Sequence, residues 1–151
     1  MSIKRLLPDC QVSAIEINEK AALILKERYT LAYNDKITIY NTSILEWDVD
    51  YKRDLVLISG VLIHIVPDYL STVYLKLYDA CGKYLLLSEY YNPNPVEVVY
   101  RGNTGKLFKR DFAGELLDKF QDFRLIDYGF VYHRDNIFPG DDSTWFLLEK
   151  L

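Results

Sequence analysis

Glu16 lies at the end of Gln11-Val12-Ser13-Ala14-Ile15-Glu16-Ile17, a short and mainly apolar run. A carboxylate there can accept hydrogen bonds from both hydroxyls of a ribose, which neither Lys nor Ser can do. Position alone leaves a solvated acid equally open. Asn41-Thr42-Ser43-Ile44 ends a second run. Its small polar groups beside an isoleucine suit the edge and face of an adenine, and they also suit the cap of a short helical turn. In Ser59-Gly60-Val61, the glycine would let backbone approach a ligand or would simply serve the turn. His64 follows in Val61-Leu62-Ile63-His64-Ile65, as a general base or as a hydrogen-bonded structural residue. Glu89-Tyr90-Tyr91-Asn92-Pro93 can frame a polar acceptor. Arg101, Lys109 and Arg110 form a concentrated basic cluster, suited to a carboxylate or phosphate on a substrate or to a solvated face.

Alternating strands and helices position these groups. The run 11–17 reads as a strand covered on both faces, and Asn18 is a good N-cap for a helix from Glu19 to about Tyr29. Ala21, Leu25 and Tyr29, with Ala22 and Ile24 alongside, fall on one stripe of that helix. Lys36 to Asn41 alternates as a strand, and Asp54-Leu55-Val56-Leu57-Ile58 has the pattern of an interior parallel strand. Pro67 and Asp68 open a helix whose buried side is Leu70, Val73, Tyr74 and Leu77, and Gly82 stands where a left-handed cap would stop it. Lys83 to Glu89 is another buried strand, and Asn92 to Gly105, with two prolines and two glycines, is a loop. Asp111 to about Phe120 is an amphipathic helix with Phe112, Leu116, Leu117 and Phe120 on one face. Strands over about 123–133 and 144–149 close the chain around a turn at 138–142. This order indicates a three-layer α/β sandwich.

The 151 residues fit one compact domain spanning 1–151, and 50% hydrophobic content with 26% charged argues against disorder. A formal charge of −4 does not supply the broad basic surface that nucleic-acid binding uses. No apolar run approaches a membrane span, and the start is too short in apolar residues for a signal peptide, so a cytoplasmic protein is expected. Cys10 and Cys81 show neither metal-ligand spacing nor a disulfide framework, so no metal is expected and both are expected reduced and buried.

Taken together, the strand ends resemble the class I S-adenosylmethionine (SAM)-dependent methyltransferases, and within them the methylase subgroup associated with pseudaminic acid biosynthesis. The stretches that carry the resemblance are Ala14-Ile15-Glu16-Ile17-Asn18, Ser43-Ile44, Ser59 to Ile65, Glu89 to Pro93, and Tyr100-Arg101-Gly102. Leu107 to Glu115, Asp127 to Val131 and Thr144 to Glu149 extend it over nearly the whole chain. The resemblance implies a Rossmann-like methyltransferase sheet, mostly parallel with a C-terminal antiparallel pair, and SAM as cofactor. It implies that Glu16 holds the ribose, that Ile17 packs on the adenine, and that Ser43, with Ile44 beside it, approaches the adenine amino group. Ser59, Gly60 and Val61 would lie near the methionine part. The implied acceptor is a sugar or nucleotide sugar, an acidic one, facing His64, Tyr90, Tyr91 and Arg101, with Lys109 and Arg110 in the same cluster. No nucleic acid or membrane partner is implied.

The family's Gly-rich loop has no counterpart: all seven glycines, at 60, 82, 102, 105, 114, 129 and 140, lie past its place. The sheet is therefore expected to be N-terminally truncated, its first central strand absent. The strands ending at Glu16 and Ile58 would then pair directly, or the incomplete sheet would recruit a strand from another chain and self-associate. The alternative to an enzyme is a non-catalytic remnant or interaction module that keeps the fold without cofactor turnover.

Overall fold

The computed structural model describes residues 3–34 and 37–151 of a chain that divides into two compact units, Met1–Asp48 and Val49–Leu151. The first contains helix α1 (Ile3–Leu6), strand β1 (Ser13–Ile15), helix α2 (Glu19–Tyr33) and strand β2 (Thr38–Tyr40). β1 and β2 pair in parallel, Ser13 opposite Thr38 and Ile15 opposite Tyr40. Parallel neighbours need a crossover, and α2 supplies it. Asn18 caps that helix as expected, its Oδ1 accepting the Ala21 N–H at 3.0 Å. The helix passes Tyr29 and stops at Asn34, whose φ of 48° is the left-handed cap that Asn tolerates. Ala22 and Tyr29 of the expected stripe are buried, whereas Ile24 is 49% exposed and does not belong to it. Both strands are shorter than their sequence patterns, and Lys36 of the second lies outside the described residues.

The second unit contains β3 (Arg53–Ser59), a 3-10 turn (Leu62–His64), α3 (Pro67–Ala80), β4 (Cys81–Glu89), the short β5 (Val96–Glu97) and β6 (Phe108–Lys109), α4 (Phe112–Lys119), β7 (Phe123–Val131) and β8 (Ser143–Lys150). Its main sheet has the order β3-β4-β8-β7. β3 and β4 are parallel, while β8 is antiparallel to both β4 and β7. The C-terminal antiparallel pair is as expected. The sheet as a whole is mixed rather than mostly parallel in its pairings, because the reversed β8 lies between β4 and β7.

Two further expectations are corrected. β3 was read as interior from its unbroken apolar run, yet among the described residues β4 is its one ladder neighbour, and Leu55 and Leu57 are 37% and 47% exposed. Gly82 does not cap α3. The helix ends on Cys81 in extended conformation and runs straight into β4, where a Cβ at Gly82 would meet the Arg53 carbonyl oxygen at 3.1 Å. The glycine is there for close backbone approach to β3, not for a left-handed turn.

α3 and α4 cover the same face of this sheet, tied by Tyr74 donating to Glu115 at 2.8 Å and Lys119 to the Ser71 hydroxyl at 2.9 Å. Burial pushes the Tyr74 phenol well above its ordinary value, and the Glu115 carboxylate adds to that. The second unit by itself is thus two-layered. Its core is Leu85, Leu87 and Leu148 from the sheet against Leu70, Val73, Leu77 and Leu116 from the helices, all buried. Each such side chain contributes roughly 1.5–3 kcal/mol by leaving water. Cys81 is buried here, while Cys10 is only half-buried; both are free. No described helix is long and apolar enough to cross a membrane.

Candidate functional site

In parallel α/β sheets ligands bind beyond the carboxyl ends of the strands, and both units gather polar groups there. In the first, Glu16 follows β1 and Asn41 follows β2. The parallel register continues for one step, with the Glu16 N–H donating to the Tyr40 carbonyl at 3.0 Å. Asn41 Nδ2 then donates to the Glu16 carbonyl at 2.7 Å, so the two strand ends are bound side by side. The Glu16 carboxylate accepts the Asn18 N–H on Oε1 at 2.8 Å, which orients it at the head of α2. Ile17 beside it is 71% exposed, an apolar surface in the open. Ser43 caps the turn that follows β2: its hydroxyl accepts the Leu45 N–H at 3.2 Å and its carbonyl the Trp47 N–H at 2.8 Å. Ser43 therefore serves the capping role that the sequence left open, and Ile44 lies in that turn, half-buried.

In the second unit Ser59 ends β3 opposite Ser88 of β4. Gly60, at φ 63°, turns the chain away while its N–H still donates to the Ser88 carbonyl at 3.0 Å. That positive φ is what requires glycine here. The loop then meets Glu89. Its Oε1 accepts the N–H groups of Val61 at 3.0 Å and Leu62 at 3.1 Å, and its Oε2 that of Ile63 at 3.4 Å. Glu89 was expected to frame an acceptor; instead its carboxyl, 4% exposed, is turned onto backbone. Burial holds it above the ordinary carboxylate range, with the three N–H groups and then His64 pulling it back down.

The 3-10 turn ends in His64, whose Nδ1 lies 2.7 Å from the Lys106 carbonyl oxygen. A carbonyl only accepts, so Nδ1 carries the proton and neutral His64 has its lone pair on Nε2. The ring also lies against Tyr100, centroids 5.6 Å apart. His64, Tyr100, Arg101, Asn103 and Lys106 line an open cavity of about 380 Å³. Arg101 sits at the tip of a tight turn closed by reciprocal bonds of 2.9 Å between Tyr100 and Asn103. Arg101 at φ 51° and Gly102 at φ 77° are both left-handed, as a two-residue hairpin turn requires. For a side chain as large as arginine that conformation costs on the order of 1 kcal/mol. The guanidinium lies over the Tyr100 ring, 5.1 Å from its centroid.

The other expected acceptor residues occupy the adjoining strand end. Tyr91 bridges to Arg110 in parallel, and its ring lies 5.9 Å from Phe146. Lys109 stands over the Tyr90 ring at 5.1 Å. Arg110 is paired with Glu115, Nε to Oε1 at 2.7 Å, so its charge is already answered within the fold. Sequence reasoning missed Asn103, which lies in the segment 92–105 read only as loop, and Lys106 just past it; one basic residue between Gly105 and Leu107 gave no signal of a shared cavity. A second cavity of about 660 Å³ opens on the sheet face away from α3 and α4, lined by Leu55, Tyr84, Leu86, Trp145 and Leu147 among others, and shares no residue with this cluster.

No protein-family model matches the sequence, and no curated protein does. Solved structures do match. Magnesium protoporphyrin IX methyltransferase from Synechocystis, crystallised with bound SAM, aligns with 99% of this chain at a TM-score of 0.70 and 16% identity. The chain spans 64% of that protein's length. The 1,6-didemethyltoxoflavin-N1-methyltransferase of Burkholderia thailandensis, solved with its substrate and S-adenosylhomocysteine, aligns with 98% of this chain and 74% of its own at 0.68 and 13% identity. The N-methyltransferase NodS from Bradyrhizobium japonicum aligns over 97% and 78%, at 0.69 and 12%. At these identities the likeness shows the Rossmann-like fold of SAM-dependent methyltransferases. Their named substrates differ from one another, so the fold does not carry the substrate.

Proposed function

We propose that this chain acts as a SAM-dependent methyltransferase on an acidic sugar or nucleotide sugar of the pseudaminic acid kind. The observation that carries the reading is the pair of bound strand ends at Glu16 and Asn41, within a chain that has the fold of enzymes crystallised with SAM or S-adenosylhomocysteine. The residues present fit such a cofactor: an oriented carboxylate for ribose hydroxyls, and exposed Ile17 for an adenine face. Ser43 and Ile44 would lie along the adenine edge, and Ser59, Gly60 and Val61 near the methionine part. When bound, the cofactor supplies an activated methyl group for in-line displacement.

The chain's own contribution is then positioning and proton handling. Bringing acceptor and methyl donor into line is worth far more than a base alone. His64, held through Nδ1, presents Nε2 as the atom able to take a proton from a hydroxyl or ammonium acceptor. Arg101 and Lys106 offer cations beside it to a carboxylate or phosphate, with Tyr90, Tyr91 and Lys109 along the adjoining strand end. Arg110 acts through its pairing with Glu115 unless an acceptor displaces that partner.

That β4 is the one ladder neighbour of β3 among the described residues favours a second reading, an interaction module that recruits a strand from another copy. One experiment separates them. The chain is incubated with methyl-labelled SAM and a panel of neutral and acidic sugar nucleotides. Label transferred to an acidic acceptor supports the enzyme; cofactor binding without transfer to any acceptor, together with concentration-dependent association, supports the module.

A further inference from the structure

We propose that Glu89 is the positioning residue for the Gly60–His64 segment, fixing from the end of β4 the loop that presents both Ser59-Gly60-Val61 and His64. For what the loop binds, this rests on the methyltransferase reading above. The first N–H groups of a helical turn have no partner within it. Here those of Val61, Leu62 and Ile63 converge on one carboxyl group, at 3.0, 3.1 and 3.4 Å. Leu62 and Ile63 are 0% and 5% exposed, so water is a poor substitute for that partner. A hydroxyl or amide cap has one accepting oxygen, whereas a carboxylate has two, and the geometry uses both. Glu89 lies 26 to 28 residues along the chain from its donors, so the bonds tie two strand ends together rather than completing a local turn.

Two consequences follow for the chemistry. The turn held by Glu89 ends in His64, so the carboxyl sets where Nε2 stands relative to the β4 end. The Val61, Leu62 and Ile63 N–H groups are taken up by Glu89 and are not open to an anionic acceptor. An anionic group on the acceptor would instead meet Arg101 and Lys106 in the His64 cavity. The acid inside the fold thus separates the loop's positioning role from anion recognition.

The test compares Glu89→Ala with Glu89→Gln in the intact chain by amide hydrogen exchange, S-adenosylhomocysteine calorimetry and the imidazole NMR signals of His64. The Gln oxygen can keep the Val61 and Leu62 bonds while its amide nitrogen loses the weakest, to Ile63. The expected result is faster exchange at all three amides and about ten- to a hundredfold weaker binding in Glu89→Ala. In Glu89→Gln, exchange rises at Ile63 alone and binding stays within roughly tenfold of the original. Unchanged exchange in Glu89→Ala overturns the proposal, as does raised exchange with unchanged binding and unchanged His64 signals. If the unsubstituted chain binds no S-adenosylhomocysteine, the cofactor reading fails. The positioning of His64 is then decided by its imidazole signals: moved in Glu89→Ala and restored in Glu89→Gln, or the proposal falls. Should Glu89→Ala not fold, loss of protection confined to Ile63 in Glu89→Gln supports the proposal and its absence overturns it.

Discussion

Glu16 and Glu89 both stand at the carboxyl end of a strand that has a parallel neighbour, and both end mainly apolar runs. Glu16 is half-buried, with its carboxylate bonded to the N–H of Asn18, two residues away. Glu89 is 4% exposed and answers three N–H groups from another strand's loop. The same residue type at the same place in the strand–loop pattern is therefore outward-facing in one unit and an internal tie in the other. A strand-end acid is available to a ligand only where the fold has not already supplied its donors.

Removing each carboxyl should separate these roles most sharply in stability. Glu89→Ala leaves buried N–H groups without a partner, and is expected to destabilise the chain by about 2–5 kcal/mol. Glu16→Ala should change stability by no more than about 0.5 kcal/mol, as a surface substitution does. Denaturant midpoints at neutral pH read both. Equal losses would erase the distinction.

Ligand binding should reverse the order. Glu16→Ala is expected to weaken S-adenosylhomocysteine by roughly 1.5–3 kcal/mol, about ten- to a hundredfold or somewhat more, from lost charge-assisted bonds. Calorimetry that found the affinity unchanged would remove Glu16 from the ribose role.

The sequence made part of the Glu16 end legible because the bond to Asn18 is local, whereas the bonds to Tyr40 and Asn41 come from another strand and were not readable. The Asn18 cap and the strand end at Glu16 all fall within a few residues, which is the range that patterns of apolar and capping residues report. The role of Glu89 was not legible: its partners lie near residue 61, and nothing about an acid after Ser88 says which way it turns. The helix faces followed the same division. Leu70, Val73, Tyr74 and Leu77 were readable from period alone and are buried. That β3 has β4 as its one ladder neighbour among the described residues was not, since an apolar run shows that a strand can be covered without showing what lies beside it. Gly82 misled for a related reason: a glycine just past a helix looks like a cap, and its close approach to the Arg53 carbonyl depends on the neighbouring strand.

A smaller effect tests whether the anion function sits away from Glu89. Arg101→Ala should raise the acceptor KM by about tenfold, as loss of one charged hydrogen bond does, while leaving S-adenosylhomocysteine affinity within about twofold. His64→Asn belongs to the same comparison. If it keeps more than about a tenth of kcat, general-base catalysis, typically worth about 10² to 10⁴, is absent and the ring is structural. Parallel loss of acceptor and cofactor affinity in Arg101→Ala would place the guanidinium elsewhere in the mechanism.

The smallest expected effect is a slope of stability with pH. Burial raises the Glu89 carboxyl above the ordinary carboxylate value, and the bonds from Val61, Leu62 and Ile63 and the nearby His64 only partly offset it. The folded chain therefore holds this proton more tightly than the unfolded chain does. Where the folded state binds more protons, stability falls as pH rises. The contribution should be complete below the ordinary carboxylate value and lost as pH passes through the raised one. Glu89→Gln, which removes the titrating carboxyl, should flatten the profile in that window. Melting temperatures taken at closely spaced pH across the window, in low salt, measure the difference. A profile that instead gained stability with pH there, and lost that gain in Glu89→Gln, would mean that the three N–H bonds outweigh burial. Glu89 would then be held as a strongly favoured anion, a tighter tie than burial alone allows.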